Sequence, residues 1–390
     1  MRMSIAKFLL GRPVASREAE KEKLSIWTGL PAMGLDGLSS AAYGPEAALA
    51  VLVAAGSQGL AAIQPITWAI LAVLAVLFLS YWQTIEAYPS NGGSYVVAKE
   101  NLGDGFALLA GAALMVDYLL NVAVGVAAGV GALTSAFPIL HAHTLPLCLI
   151  ILAAITLINL RGTREAGAAW SIPTYLFVGT LGVVLATGAW QLLGAHVTPE
   201  PIIAPPPNPV PSEGVTLWLL MRAFASGCTA MTGVEAVSNG VDAFAEPRVM
   251  RAHGTLAIIV LILGILLLGI ASAANGFSIL AMDQTKAGYQ SVISQIVSAV
   301  WGRGPFYYIT IRSVLAVLCL SANTSFVGFP RLCRMIAQDQ YLPHPFAIPG
   351  RRLVTVPWQL EKADPESVIE EKSRLRLPTS RAHTHWLSQQ

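Results

Sequence analysis

The chain has 390 residues, 54% of them hydrophobic and only 12% charged, with a mean hydropathy of +0.60 and a formal net charge of +2. Soluble globular domains carry about 25% charged residues, so this composition excludes one and points to a multi-pass membrane protein. The four cysteines, Cys148, Cys228, Cys319 and Cys333, lie in or beside apolar stretches with no CxxC spacing, which reads as small buried hydrophobes rather than a metal or disulfide framework.

Residues 1–26 are too charged for a cleavable signal peptide and are expected to form a cytoplasmic tail. About 20 helical residues cross a hydrocarbon core of ~30 Å. Stretches meeting that need fall near 27–56, 63–88, 105–133, 145–160, 169–193, 215–241, 254–275 and 304–328, the fourth being short. The first is interrupted by Gly34-Leu35-Asp36-Gly37-Leu38-Ser39-Ser40-Ala41-Ala42-Tyr43-Gly44-Pro45-Glu46, with two carboxylates, three glycines and a proline. A carboxylate near the centre of a spanning helix costs about 2.5–3.5 kcal/mol, and Gly and Pro invite unwinding, so the interruption predicts a broken helix built for a site. Between the fifth and sixth stretches, 195–214 holds seven prolines and is expected to be an extended extracytoplasmic linker. Residues 331–390 are assigned to a C-terminal cytoplasmic tail, hydrophilic and poorly ordered from about 353.

Twenty of the 24 Lys and Arg fall in the N-terminal tail, in the even-numbered loops (Lys99, Arg161, Arg164, Arg248, Arg251) or in the C-terminal segment. The opposite side carries only Lys286 and Arg303, with Arg222 and Arg312 in or near spans, so the positive-inside rule puts both termini in the cytoplasm. Gly44-Pro45-Glu46-Ala47-Ala48 in span one is echoed by Gly233-Val234-Glu235-Ala236-Val237 in span six. Spans one and six would open two five-helix units that cross the membrane in opposite directions, the arrangement of transporters with inverted repeats and a midplane site between paired broken helices. The expected organisation is a first repeat over 27–194 and a partial second repeat of three helices over 215–330.

Asp36, Glu46, Glu86, Asp117 and Glu235 all fall within or at the edge of spans. Glu46 and Glu86 lie near span ends and are read as interfacial or paired with a basic residue. Asp36 and Tyr43 bracket the break in span one, Asp117 and Asn121 share one face of span three at i, i+4 beside Tyr118, and Ser226, Thr229 and Thr232 line the break in span six. Carboxylates, hydroxyls and freed carbonyls make an oxygen-rich cage suited to a hard cation or an ammonium group. Thr232 equally fits a bond back to its own helix, Gly125 and Gly129 fit close helix packing, Arg312 fits snorkelling, and His383 and His385 in the polar tail make no metal site. No nucleophile, phosphate loop or metal signature is present, so no enzyme, cofactor or nucleic-acid partner is expected.

Span one with Asp36 and Tyr43, Tyr88-Pro89-Ser90-Asn91-Gly92-Gly93-Ser94-Tyr95, Asn159-Leu160-Arg161-Gly162-Thr163-Arg164-Glu165 and Thr232-Gly233-Val234-Glu235-Ala236-Val237-Ser238-Asn239 resemble the amino acid-polyamine-organocation (APC) superfamily. Within it, Gly34 to Asp36, Ala41 to Gly44, Asp117-Tyr118 and Ala322-Asn323-Thr324-Ser325-Phe326 are most similar to KimA-type proton-coupled potassium importers, over residues 24–352. The resemblance implies an all-α, LeuT-like inverted-repeat core with helices one and six broken, and potassium held by Asp36, Tyr43, Asp117 and Thr232, with Ser40, Asn121, Ser226 and Glu235 in support. Those importers carry hydroxyl residues where this sequence has Asn121 and Gly125, and the Asn121 amide is able to replace one lost oxygen.

The expected activity is secondary active transport of a small cation across the inner or plasma membrane, coupled to protons that share Asp36 or Asp117. An amino acid or amine permease of the same superfamily is the alternative, although Asp36 at the break would repel a substrate carboxylate. Apolar sequence stops after span eight, so the second repeat is expected to be incomplete and the protein truncated at its C-terminal end, without the family's tenth-span ligand. Lipid, a second copy or a partner subunit would then cover the exposed helices, and a transport-inactive fragment or partner subunit is the reading of another class.

Overall fold

The computed structural model describes residues 23–89, 93–161, 166–195, 212, 214–286 and 288–347. Of the expected features, the N-terminal tail before Lys23, almost all of the proline-rich linker and the hydrophilic tail from 353 lie outside these residues. The described residues are nearly all helical, with one isolated parallel bridge between Leu24 and Phe244.

The first span is segmented as its glycines and prolines dictate. Helix α1 (Ile26–Met33) starts at a capping box in which the Ser25 and Thr28 side chains each accept the other's backbone N–H. It bends at Gly34, where a Cβ would come within 2.6 Å of Ile259. After it, α2 (Leu35–Ser40) gives out into three successive i→i−3 bonds ending at Tyr43, and α3 (Gly44–Leu52) restarts with Pro45 in its first turn. A short α4 (Gly56–Ala61) leads to α5 (Ile63–Ala87), whose 25 residues rise about 37 Å and cross the bilayer without interruption. Then follow α6 (Ser94–Leu102), the long α7 (Asp104–Ala136), α8 (Thr144–Arg161) and α9 (Ala166–Trp190).

The sixth expected span is not a continuous helix. Helix α10 (Leu217–Gly227) passes into a single 3-10 turn, Cys228–Met231, then an extended Thr232, before α11 (Ala236–Asn239). Beyond it come α12 (Arg248–Gly276), α13 (Val292–Trp301) and α14 (Pro305–Gln338). Among the described residues seven helices are long and apolar enough to cross a membrane, one fewer than the eight expected, because the break leaves only the shorter apolar piece Leu217–Met231 in the sixth. The last helix runs past the expected end near 328 to Gln338. Its final turns are held there by Leu332 and Ile336, which pack with Tyr95 of α6 and Ala107 of α7. The short helices α6 and α13 have no counterpart among the expected elements.

Helix α12 supplies the centre of the core. Leu256, Ile259, Leu263, Leu266 and Ile270 recur at spacings of three and four and are at most 2% exposed, which makes one continuous buried stripe. The other main contact joins α7 to α14. A Cβ at Gly125 would lie 3.0 Å from the Leu318 carbonyl oxygen, and one at Gly129 would lie 3.2 Å from Cys319 Sγ, so these two glycines let the helices approach closely. Lys99 and Tyr95 of α6 both reach Asp339 at the end of α14, at 2.5 Å and 2.8 Å. There burial opposes the charge on Asp339, but the bonds from Lys99 and Tyr95 outweigh it and hold the carboxyl below the usual carboxylate range.

Gly125→Leu is expected to destabilise the fold by about 1–3 kcal/mol through overpacking against α14. Gly182→Leu, at a glycine with nothing within 4 Å of an added Cβ, is the control. A thermal unfolding midpoint in detergent that falls only for Gly125→Leu checks the α7–α14 contact.

Candidate functional site

The two helix breaks meet. Ser40 at the end of α2 donates from its hydroxyl toward the Gly37 and Ala230 carbonyls, the second being on the other broken helix. Ser226 Oγ of α10 donates to the Ala47 carbonyl of α3 at 3.0 Å. Gly233, with φ +84°, lies so close to Asp36 that an added Cβ would come within 2.6 Å of its Cβ and Cγ. Only glycine adopts that backbone freely and leaves room for the carboxylate.

Asp36 is 3% exposed. Its Oδ2 accepts from Asn121 Nδ2 of α7 at 2.8 Å and from Thr324 Oγ1 of α14 at 2.9 Å, and Asn121 Nδ2 also reaches Ser325 Oγ at 3.1 Å. The other two acceptors, Asp36 Oδ1 and Asn121 Oδ1, are buried with no hydrogen-bond partner among the described residues. A buried acceptor without a donor costs about 1–3 kcal/mol, more if charged, and here two lie on hydrogen-bonded neighbours.

The remaining expected residues lie at the two breaks and on α7. Tyr43 is buried at the break of the first span, and Thr232 is extended at the break of the sixth. Glu235 stands at the start of α11 and lines the same cavity as Asp36, and Asp117 lies one turn before Asn121 on α7. A cavity of about 160 Å³ leads from this cluster, lined by Asp36, Tyr118, Glu235, Asn239, Thr324 and Arg331 among others. It opens toward the end of the molecule that carries Lys23, Lys99, Arg248 and Arg331.

Of the eight expected site residues, Asp36, Asn121, Tyr43, Thr232, Asp117 and Glu235 gather here, whereas Ser40 and Ser226 spend their hydroxyls on carbonyls that bind the two broken helices together. Thr229 is exposed and bonds back to the Ser226 carbonyl of its own helix. Thr324 and Ser325 join the site from α14 and are not among the expected ligands. Their signal in the sequence is a polar pair in an apolar helix, which Ser and Thr bonds back to the helix explain equally well. Glu46 has no basic partner among the described residues. It accepts from Tyr289 Oη at 2.7 Å and from the Val292 backbone N–H at 3.1 Å, because it faces the segment before α13 rather than the membrane interface. Glu86 is exposed.

Paired broken helices with a polar centre, held among membrane-length helices, define a multi-pass membrane protein of the permease class. Residues 38–352 match the family described as amino acid permease, and the chain belongs to that family, within the APC superfamily. It is also 41% identical over 350 residues to the potassium transporter KimA of Bacillus subtilis (strain 168), an alignment that covers 90% of this chain. The chain spans 56% of the length of that relative.

Gly233→Ala is expected to cost about 1–2 kcal/mol of backbone strain and to displace Asp36. A thermal unfolding midpoint unchanged by this substitution would contradict the close approach of the two breaks.

Proposed function

We propose that this chain forms the ion-binding core of a secondary transporter for a small monovalent cation, potassium, with the ion seated between the two helix breaks. The observation that carries the proposal is the pair of buried acceptors, Asp36 Oδ1 and Asn121 Oδ1, which have no donor among the described residues. A cation satisfies both at once, and each is a hard oxygen of the kind that replaces an alkali ion's hydration shell. In this reading Tyr43, Asp117 and Thr232 complete the shell, Glu235 stands behind it, and Thr324 and Ser325 orient Asp36 and Asn121. The identity to a potassium transporter supports the choice of ion.

The cavity opens at the end rich in Lys and Arg, so the positive-inside rule makes it the cytoplasmic mouth and puts both termini in the cytoplasm. Residues 27–194 and 215–330 act as two inverted units in this reading. A proton on Asp36 or Asp117 is an alternative occupant to the ion and supplies the coupling. Exposed apolar residues on α7, such as Leu109, Val116 and Leu120, face lipid or a second copy of the protein.

The family description favours an amino acid as the second reading. Against it, Asp36 lies at the break where a substrate carboxylate would have to be held. The test is uptake of labelled rubidium by proteoliposomes, set against a panel of amino acids. Rubidium uptake is expected, and Asp36→Asn is expected to reduce it about tenfold or more, corresponding to about 1.4 kcal/mol of lost ion interaction. Amino acid uptake that survives Asp36→Asn would replace the cation reading with the permease one. If the protein moves neither solute, potassium-dependent thermal stabilisation that is lost in Asp117→Asn would still support ion binding, and its absence would favour the non-transporting reading.

A further inference from the structure

At the end of the molecule opposite the cavity, residues 279–286 and 288–291, between α12 and α13, are non-helical. This crossing segment is fastened to α7 along one face. Gln284 Nε2 donates to the Ala127 carbonyl at 2.9 Å, the Ser291 backbone N–H donates to Ser135 Oγ at 2.9 Å, and Arg303 bridges the Ser135 carbonyl at 3.1 Å and Gln290 Oε1 at 3.2 Å. Gly131 lies directly under it, where an added Cβ would come within 2.7 Å of Gln284 Nε2 and 3.2 Å of the Tyr289 ring. Segment and α7 therefore form one body.

Helix α3 belongs to another body. It is bonded to α10 through Ser226 and the Ala47 carbonyl, and Gly227 packs so tightly that a Cβ there would lie 3.1 Å from Ala48. Both helices border the breaks at Ala41–Tyr43 and Thr232–Glu235, where no α-helical ladder resists a change of angle. Between the two bodies stands Glu46. Its Oε1 takes the Tyr289 hydroxyl and its Oε2 takes the Val292 N–H, in the first turn of α13. Tyr289 and Val292 are 6% and 1% exposed and Glu46 is half-buried, so these bonds form in a partly shielded contact, where charge-assisted hydrogen bonds are stronger than in water.

We propose that Glu46 is a latch: its two hydrogen bonds hold the α3–α10 pair against the crossing segment and close the Asp36 site to the end opposite the cavity. This rests on the reading of Asp36 as the transported ion's site, and it adds the residue that controls access to that site from the far side. Releasing Glu46 lets α3 and α10 swing at their breaks, which opens the far side and, with the site passing from one mouth to the other, narrows the cavity.

The test needs no transport. Two reporters are placed singly in a background with the four native cysteines replaced by alanine. Thr134→Cys lies on the α7 face beside Gly131 and Ser135, where the native side chain is 2% exposed, and Ala32→Cys lines the cavity. The full-length protein in lipid nanodiscs, open to reagent from both faces, is labelled with a charged maleimide. With Tyr289→Phe, which removes one hydroxyl only, and with Glu46→Gln, the α7 reporter is expected to label about tenfold faster, the factor that about 1.4 kcal/mol of lost latch energy gives, while the cavity reporter labels more slowly. Glu46→Asp is expected to restore part of the slow rate at the α7 reporter. Rates that rise together at both reporters would mean general loosening and would overturn the latch, as would rates unchanged at both. Failure of rubidium uptake leaves these rates interpretable, so the latch and the choice of ion are tested separately.

Discussion

The burial of one carboxylate governs this molecule. Asp36 sits in an apolar bundle, where an ionised group without partners is costly, and it is satisfied on one oxygen only. Placing two donors on Oδ2 requires α7 and α14 to lie side by side at the level of α2. That closeness is what Gly125 and Gly129 permit. Freeing space for the acid also requires the second broken helix to pass Asp36 with no side chain, which Gly233 achieves at a φ available to glycine. The breaks, the small residues and the polar centre are thus parts of one arrangement, and each would be a defect without the others.

Much of this is legible in the sequence, and the parts that are not have physical reasons. Spans are readable because about 20 apolar residues in a row have few alternatives, and the break in span one is readable because Gly, Pro and Asp are each unfavourable there. The sixth span is readable as broken from its resemblance to the first, but not that the break leaves it too short to count as a spanning helix. Asp36 and Asn121 are identifiable from type and depth. Thr324 and Ser325 are not, since a hydroxyl in a membrane helix usually bonds back to its own carbonyls, and Thr324 also reaches the Ser321 carbonyl in just that way. The contacts of Glu46 are hidden because its partners lie 243 and 246 residues away in the chain.

The two ends of the molecule are built from different materials. At the basic end, α6 is fastened to α14 by Lys99, Tyr95 and Asp339, and Arg331 donates to the Asn239 carbonyl beside the cavity. These contacts are partly exposed, and exposed ion pairs contribute little, about 0–1 kcal/mol. At the opposite end the Ser291–Ser135 contact is buried, and a half-buried carboxylate bonds to a hydroxyl and a backbone N–H. The more deeply buried contact lies away from the cavity, which is found at the basic end.

The orphaned oxygens bear on how ion and proton would compete in the proposed transporter. Asn121 differs from a hydroxyl in that its amide nitrogen can hold Asp36 Oδ2 while its oxygen stays free, so orientation and ion contact are divided between two atoms of one side chain. A hydroxyl in that place has a single hydrogen, and giving it to Asp36 would leave lone pairs on the same atom to meet an ion. Charge on Asp36 is needed to draw a cation and is relieved when one binds. A proton on the carboxyl relieves the same charge but removes the attraction, so the two occupants exclude one another.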